Sequence, residues 1–499
     1  MSAMLGVVSY GLGTLIGFAL VAFLVIVFIQ DITQKKHTVL RNYPVIGHLR
    51  YLLEKQGEYF RQYFFLNDRE ELPFNRATRG WVYRLAKAEA GVIGFGSTNN
   101  TNEPGSILFV NHPYPVLEED RLPTPPLVIG EGFCREPFTA RSVVNISGMS
   151  FGAISEPAVR ALSRGAALAG CWMDTGEGGL SPFHLEGDCD IIMQIGTANY
   201  GLRGPDGNFS TERASEVSRH PQVKAFEIKL SQGAKPGKGG VLPAAKVTEQ
   251  IARIRGIPAH EDSISPNRHR DVANVDQLLD KIALVRGLTG KPVGVKTAIG
   301  GWQFINEVCD AVNRRGLEFA PDFLAIDGGE GGSGAAPQAL MDHMALPIAE
   351  ALPRVVDALI ESGLRNRVRV IAAGRLVTSA RAAWALCVGA DFVNTARGFM
   401  FSLGCIQALR CHQNTCPTGV TTHNHRLQRG LVVEEKYLRV ANYATGMNRE
   451  IDMIAHSCGC RHARELRREH VRIVRTAGHS EALNILYPYP EPNAKRKAA

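Results

Sequence analysis

The sequence lacks any recognisable motif for nucleic-acid binding, and its basic residues are scattered although the net charge is +8. We also assign no glycine fingerprint for a nicotinamide cofactor. Charged residues make up 21% and hydrophobic residues 45% of the 499 positions, which excludes a disordered chain and a polytopic membrane protein. Nucleic acid is therefore not an expected partner, and the positive charge is better explained by anion binding and a nearby membrane surface.

Charged side chains are also missing before Asp31, and the apolar run from Met4 to Ile29 is long enough to cross a hydrocarbon core of about 30 Å as a helix. A signal peptide would need a basic start, a shorter apolar stretch and a small-residue cleavage site, none of which is evident. Basic residues follow the run and none precedes it, so the positive-inside rule leaves the remainder in the cytoplasm. The first of them are Lys35, Lys36, Arg41 and Arg50. We expect residues 1–30 to be a single-pass anchor in the cell inner membrane.

The segment from Tyr43 to Phe65 is aromatic and basic. It is consistent with an interfacial collar at the membrane and also with a helix packed on the main domain. Both interpretations remain open. This segment belongs to the predicted juxtamembrane and N-terminal extension, residues 31–103.

The ten cysteines are unevenly spaced. Cys405, Cys411 and Cys416 form a C-x5-C-x4-C block that differs from the paired C-x2-C units of a zinc ribbon, and three thiolates suit a cluster with three irons. Cys458 and Cys460 form a separate C-x-C, either a redox pair or simply buried thiols. The isolated cysteines are expected to be buried small hydrophobic residues. They are Cys134, Cys171, Cys189, Cys309 and Cys387.

Short β-branched runs alternate with longer stretches of helical period, such as Glu156 to Ala169 and Val275 to Leu288. There are eight such runs, so a closed (β/α)8 TIM barrel is the economical architecture, and an open doubly wound sheet is the alternative. The runs are 142–147, 171–175, 191–196, 225–231, 292–298, 323–329, 369–374 and 392–397.

Almost every run ends in polar residues and glycine. In a barrel the carboxyl ends of the strands converge on one face, where the active site forms. One or two glycine clusters would be ordinary turns. Eight in phase predict a flat anionic ligand held against backbone amides.

Five motifs resemble the synthase domain of glutamate synthase, in the same order, over about two-thirds of the chain from Pro104 to Arg426. They are GMSFGAIS (148–155), DTGEGG (174–179), KLSQGAKPGKGG (229–240), DGGEGGSGAAP (327–337) and LGCIQALRCHQNTCPTG (403–419). The resemblance implies an FMN-binding barrel at 104–430, with an iron-sulfur loop after the eighth strand. A C-terminal helical extension with a basic tail is expected at 431–499.

The resemblance also implies how FMN is held. Ser150 and Gly152 would border the isoalloxazine ring, Gln194 would hydrogen-bond it, and Lys229 would place positive charge beside the reduced flavin. The loops after the last strands would hold the phosphate, as in many such barrels. The phosphate candidates are Gly332, Ser333, Gly334, Gly374 and Thr395. In the family, the three cysteines of the C-x5-C-x4-C block carry a [3Fe-4S] cluster.

In this family 2-oxoglutarate and ammonia form an imine that is reduced to glutamate. Lys235 and Arg255 match positions that bind the substrate carboxylates in the family. The alternative for Arg255 is a plain charge on the surface of a helix. Glu177 matches an acidic residue near the flavin and the substrate. We therefore expect Glu177 and Lys229 to be catalytic. The family's GEGGQLP reads GKGGVLP here, with Lys238 replacing a glutamate and Val241 replacing a glutamine. One substrate hydrogen bond is thereby lost, so the motifs identify the flavin but do not fix which keto acid is bound.

The resemblance does not extend to a glutaminase domain or a long β-helix. Electrons and ammonia are therefore expected from outside: from ferredoxin, a flavoprotein or a membrane carrier, and from a separate glutaminase or ammonia-supplying subunit. The leading hypothesis is an enzyme that makes glutamate or a substituted glutamate, with an N-methylglutamate synthase-like subunit as a close relative. The alternatives are a membrane-tethered FMN and iron-sulfur electron-transfer protein acting on another acceptor, and a cofactor-bearing assembly subunit.

Overall fold

The computed structural model describes residues 2–89 and 91–491, without the side chains of residues 2–10. The chain divides into two compact units, Met1–Arg79 and Gly80–Ala499, and helix Arg76–Ala86 spans the division. The basic tail expected at the C-terminus lies in residues 492–499, outside the described residues.

The first unit begins with one long helix, Ser2–Thr33. Its portion Gly11–Thr33 is apolar, largely exposed apart from the buried Asp31, and long enough to cross a membrane, a property that signal sequences share. Helix Thr38–Asn42 and helix Gly47–Phe60 follow, and Arg61–Phe65 continues the last one as a short π-helical turn.

The second unit is built around a closed barrel of eight parallel strands, as predicted. Each strand pairs with the next, and the eighth closes on the first through Val393 beside Val144. The fourth strand starts at Val223, two residues before the predicted run. In chain order the strands are β1 (Val144–Ile146), β2 (Met173–Asp174), β3 (Ile191–Ile195), β4 (Val223–Lys229), β5 (Val293–Ala298), β6 (Phe323–Asp327), β7 (Arg369–Ala373) and β8 (Phe392–Thr395).

Large apolar side chains fill the amino end of the barrel. Trp172, Phe323 and Phe392 are buried there, and the Trp172 ring lies edge-on to Phe392 with 5.0 Å between ring centroids. The antiparallel hairpin Leu127–Ile129 and Phe138–Ala140 packs against the same cluster. The amino end is therefore closed, and the carboxyl ends of the strands remain for a ligand.

Helices surround the barrel. The first, Glu156–Ala169, begins after Ser155, whose hydroxyl accepts a hydrogen bond from Ala158 N at 3.4 Å, and ends at Gly170 with φ of +67°. The other helices between β2 and the cysteine block are Pro182–Leu185, Thr211–Ser218, Glu249–Arg255, Val275–Thr289, Gln303–Arg315, Gln338–His343, Ile348–Glu361, Ser379–Val388 and Arg397–Leu403.

The C-terminal segment contains strands as well as helices. Helix Val433–Ser457 packs on Glu156–Ala169, where a Cβ at Gly165 would lie 2.5 Å from the Val440 side chain, so glycine permits the close approach. Two strands, Val471–Thr476 and His479–Ala482, then join Ile107–Phe109 in a small antiparallel sheet. Short helices His425–Gln428 and Leu483–Leu486 flank these elements.

Candidate active site

A polar cavity opens at the carboxyl ends of the barrel strands. Its accessible volume is about 60 Å³. Among the residues expected to bind cofactor, Gln194, Lys229, Gly332, Gly374 and Thr395 line it. Ser150, Gly152, Ser333 and Gly334 lie outside this lining.

One end of the cavity is suited to an anion. Gly374 has φ of +127°, and a Cβ there would lie 3.0 Å from Gly328 N, so the chain passes close only because no side chain intervenes. Arg375 and Arg397 line the same end. Burial is the main cause that lowers the pKa of Arg397 to about 10, and the neighbouring charge of Arg375 lowers it further.

Two buried polar atoms at this end of the cavity make no hydrogen bond within the described residues. Within the described chain, Arg375 Nε and Asn394 Oδ1 are buried without a hydrogen bond. A buried unpaired polar group is costly, and a phosphate could accept from the guanidinium. Sequence reasoning missed Arg375 and Arg397. Arg375 directly follows the seventh predicted run and Arg397 ends the eighth, but the ends of these runs were noted only as polar and glycine-rich.

A network of charged groups lies at the floor of the cavity. The side-chain amide of Gln194 on β3 donates to Asp174 Oδ2 at 3.2 Å and to Glu227 Oε1 at 2.7 Å. Burial raises the pKa of both carboxyl groups, and the charge of Asp174 raises that of Glu227 further. Burial disfavours the Lys296 ammonium, yet nearby carboxyl groups, with Glu227 and Asp174 contributing most, together outweigh burial and raise the pKa of this lysine.

Asp174, Glu227 and Lys296 were not selected from the sequence. Each occupies a buried position in a barrel strand, on β2, β4 and β5 respectively. A charged residue inside such a strand was the available signal, because charge is rarely buried without a partner.

The side of the site expected to bind substrate gathers three cations around one carboxylate. Lys229 Nζ donates to Glu177 Oε2 at 3.2 Å and to Gln232 Oε1 at 2.5 Å. Burial alone would raise the pKa of Glu177, but Lys229 and Lys235 together with Arg255 hold it at about 2. Glu177 is thus ionised at neutral pH.

Arg255 is buried, with 5% of its surface exposed, at the end of helix Glu249–Arg255. Its Nη1 donates to Ser263 Oγ at 3.1 Å, and its guanidinium lies 5.0 Å from the Tyr200 ring centroid. Its Nε is buried and has no hydrogen-bond partner among the described residues. By contrast, Lys238 and Val241, where the chain departs from the family motif, are exposed.

The cysteine block forms a loop after β8. Lys246, which is 2% exposed, donates from Nζ to Ala153 O at 2.7 Å and to Cys411 O at 3.2 Å. Burial raises the pKa of Cys411, whereas hydrogen bonds from Thr418 and Thr421 outweigh burial and lower that of Cys416. In the described part of the chain no three His, Cys, Asp or Glu side chains are placed to hold a metal ion. The donor chemistry suits a cluster, but Cys405, Cys411 and Cys416 do not form a ready-made cage.

The C-x-C pair lies elsewhere in the second unit. Cys458 and Cys460 are buried free thiols, and Cys460 Sγ lies 3.7 Å from His470 Nε2. Burial raises the pKa of both, to about 11 for Cys460, so neither thiol is activated as a thiolate.

Barrels of this shape support many unrelated chemistries, so the class of the protein rests on the cavity. The lining, with an end suited to an anion beside Lys229 and Lys296, fits a glutamate synthase-like, FMN-dependent oxidoreductase. The chain belongs to the glutamate synthase family, because residues 116–461 match the family model described as the conserved region in glutamate synthase.

Individual relatives agree with this assignment. The Bacillus subtilis glutamate synthase large subunit-like protein YerD is 41% identical over 482 residues, covering 89% of this chain and 91% of YerD. An archaeal-type glutamate synthase [NADPH] of Thermotoga sp. is 34% identical over 65% of this chain, and the chain spans only 61% of that relative. A glutamate synthase large subunit-like protein of Rhizobium meliloti is 30% identical over 69% of this chain and 77% of its own length.

Proposed function

We propose that this protein binds FMN and reduces the imine of 2-oxoglutarate to glutamate or a substituted glutamate, with electrons arriving through an iron-sulfur cluster. The single observation that carries the proposal is the group of cations around Glu177. Lys229, Lys235 and Arg255 carry three positive charges against one carboxylate. This surplus complements the two negative charges of a dicarboxylate in a site that excludes most water.

The cavity supports the flavin part of the proposal. Arg375, Gly332, Gly374 and Thr395 would hold the phosphate, which would satisfy the buried Arg375 Nε. Gln194 and Lys229 would contact the ring. Ser333 and Gly334 would extend the phosphate end, and Ser150 and Gly152 would border the ring. When bound, FMN supplies the hydride that reduces the substrate.

The chain's own residues would prepare the substrate. A 2-oxo acid and ammonia lose water to give an imine, and a hydride and a proton convert the imine into the amine. Arg255 and Lys235 would hold the carboxylates, so that the reacting carbon stays in one position. Glu177 is anionic and would orient the incoming ammonia through its carboxylate oxygens. Lys229 holds Glu177 in place.

The iron-sulfur cluster is proposed at Cys405, Cys411 and Cys416. Three thiols on one loop, with the buried Lys246 ammonium against Cys411, favour a bound anionic [3Fe-4S] cluster. Since the thiols are not gathered into a cage, cluster binding would have to draw the loop together.

We further propose that the helix Ser2–Thr33 anchors the protein in the cell inner membrane with the second unit in the cytoplasm. Its apolar, unburied length supports this. Ferredoxin, a flavoprotein or a membrane carrier would supply electrons, and a separate subunit would supply ammonia.

A second candidate is electron transfer to another acceptor. It is favoured by Val241, which is 37% exposed and cannot provide the hydrogen bond that the family's glutamine gives to the keto acid. An N-methylglutamate synthase-like activity would need the same dicarboxylate and a substituted amine.

The test is anaerobic reduction of the purified protein, followed by reoxidation by 2-oxoglutarate with ammonia or with methylamine. The flavin spectrum reports the rate, and mass spectrometry identifies the product. Pyruvate is the matched control, because it has the same keto group with one carboxylate fewer. We expect 2-oxoglutarate to reoxidise the flavin fastest. Reoxidation by a quinone or dye, with no response to any 2-oxo acid, would favour the electron-transfer function.

A further inference from the structure

The helix Gly47–Phe60 and its continuation Arg61–Phe65, called here the collar helix, has one apolar face. Large apolar side chains recur along the collar helix at intervals of three, four or seven residues, which places them on one side of the helix. They are Ile46, Leu49, Leu52, Leu53, Phe60 and Phe64, and each is at least 47% exposed. The rings of Phe60 and Phe64 lie 5.8 Å apart between centroids, so the stripe continues past the end of the regular helix.

A separate side of the collar helix is polar. Arg50, Glu54 and Glu58 follow one another at intervals of four residues on that side, and all three are exposed. A helix with such divided faces is expected to cover its apolar side with something.

A buried carboxylate ties the collar helix to the end of the apolar N-terminal helix. Asp31, in the last turn of Ser2–Thr33, is 2% exposed. Its Oδ2 accepts a hydrogen bond from Val45 N at 2.8 Å, and its Oδ1 lies 2.9 Å from His48 Nε2. The first turn of the collar helix is therefore fixed at the point where the apolar run ends.

We propose that the collar helix lies in the plane of the membrane surface, with its apolar face among the acyl chains just below the lipid headgroups. The proposal rests on the membrane anchoring proposed above. If Ser2–Thr33 crosses the bilayer, the Asp31 contacts start the collar helix at its surface. An amphipathic helix that begins there buries its apolar face in lipid without leaving the plane.

Charge also favours lipid over a protein as the occupant. Between residues 35 and 66 there are six basic and only two acidic side chains. Basic residues near a membrane are attracted to anionic headgroups, and Tyr and Phe side chains suit the boundary between headgroup and acyl chain. A second copy of the chain would bring the same positive charge and be repelled.

The experiment uses the full-length chain in vesicles of phosphatidylethanolamine and phosphatidylglycerol. Leu53→Cys on the apolar face and its neighbour Glu54→Cys on the polar face are labelled with an environment-sensitive fluorophore, and lipids carrying a spin label quench it. Leu20→Cys in the N-terminal helix is the depth control. The unsubstituted chain gives the background from its own cysteines, most of which are buried. Flavin content confirms that each variant is folded.

We expect a lipid spin label near the headgroup to quench the fluorophore at Leu53→Cys at least about twofold more strongly than the fluorophore at Glu54→Cys. A label deep in the acyl chain should quench Leu20→Cys best. Equal quenching at Leu53→Cys and Glu54→Cys, or no quenching at either, would overturn the proposal. Failure of the fluorophore to label Leu53→Cys, because protein covers that position, would also overturn it. Deep quenching at Leu20→Cys in that case would leave the anchoring intact. If no lipid label quenched Leu20→Cys, both the proposed membrane anchor and the proposed position of the collar helix would be refuted. The proposed enzyme activity would still be tested independently by the flavin assay with 2-oxo acids.

Discussion

The Glu177–Lys229 pair offers the sharpest test of the site. At 3.2 Å, two unit charges attract by about 5 kcal/mol at an effective dielectric constant of about 20, before desolvation is subtracted. The pKa of Glu177 gives the net result: it falls from 4.5 to about 2, which corresponds to about 3 kcal/mol in favour of the ionised form. Since Lys229 is the largest of several favourable contributions, we assign about 2 kcal/mol to the pair itself.

A double-mutant cycle measures this coupling directly. Glu177→Gln, Lys229→Met and the double variant would be unfolded in urea, and the difference between the double and the summed single effects gives the interaction energy. Because the folded pKa of Glu177 lies below its unfolded value, the coupling should be complete above pH 4.5 and fade as pH falls toward 2. A coupling below about 0.5 kcal/mol at pH 7 would refute the reasoning, since that is the value of a solvent-screened surface pair.

Three further results are expected. Cys411→Ser should abolish the iron and sulfide content and the electron paramagnetic resonance signal, whereas Cys189→Ser, which alters a buried isolated thiol, should leave both in place. Arg375→Met should weaken FMN binding by about 10- to 100-fold, the effect of losing one charge-assisted hydrogen bond of about 1.5–3 kcal/mol, while Arg213→Met on an exposed helix should not change it. Glu227→Gln should flatten the pH dependence of unfolding: the raised pKa of Glu227 makes the native chain lose stability as pH rises above 4.5, and the neutral amide removes that loss, as urea titrations across pH would show.

The barrel was predictable because parallel strands are covered on both faces and therefore form continuous apolar runs. β3 is buried at every position from Ile191 to Ile195, and its predicted and observed bounds nearly coincide. The pairing of Ile107–Phe109 with Val471–Thr476 was not predictable in this way. These strands are short and partly exposed, and more than 300 residues separate them, so the sequence carries no local signal of their contact.

Within the site, the sequence indicated some of the groups at strand ends but missed Arg375 and Arg397, and it also missed groups inside strands. Gln194 and Lys229 stand next to glycine-rich turns, and both reach the cavity. Lys296 also reaches it, but from within the apolar run of β5, where a lone lysine gives no hint of its partners on β2 and β4. Only three-dimensional proximity explains why that charge is tolerated, because the carboxyl groups that stabilise it are far away in the sequence.

The choice of substrate depends on the free-energy contributions of two features, a missing hydrogen bond at Val241 and the buried charges of Arg255 and Lys235. By the resemblance to the family motif, Val241 would remove one neutral hydrogen bond to the keto acid, a contribution of about 0.5–1.5 kcal/mol. Arg255 and Lys235 provide buried charge, and truncating one partner of such a charge pair typically costs about 2–5 kcal/mol. Under the proposed function, the charges would select the class of ligand, a dianion, and the smaller contribution at position 241 would select among dianions. On this argument Val241→Gln should change the preference between 2-oxoglutarate and a related dicarboxylate by about tenfold or less. Arg255→Lys should impair all of them, because a lysine ammonium cannot reproduce the planar arrangement of several donors in a guanidinium. A monocarboxylate that remained the best substrate of both variants would show that the cations serve the cofactor and not the substrate.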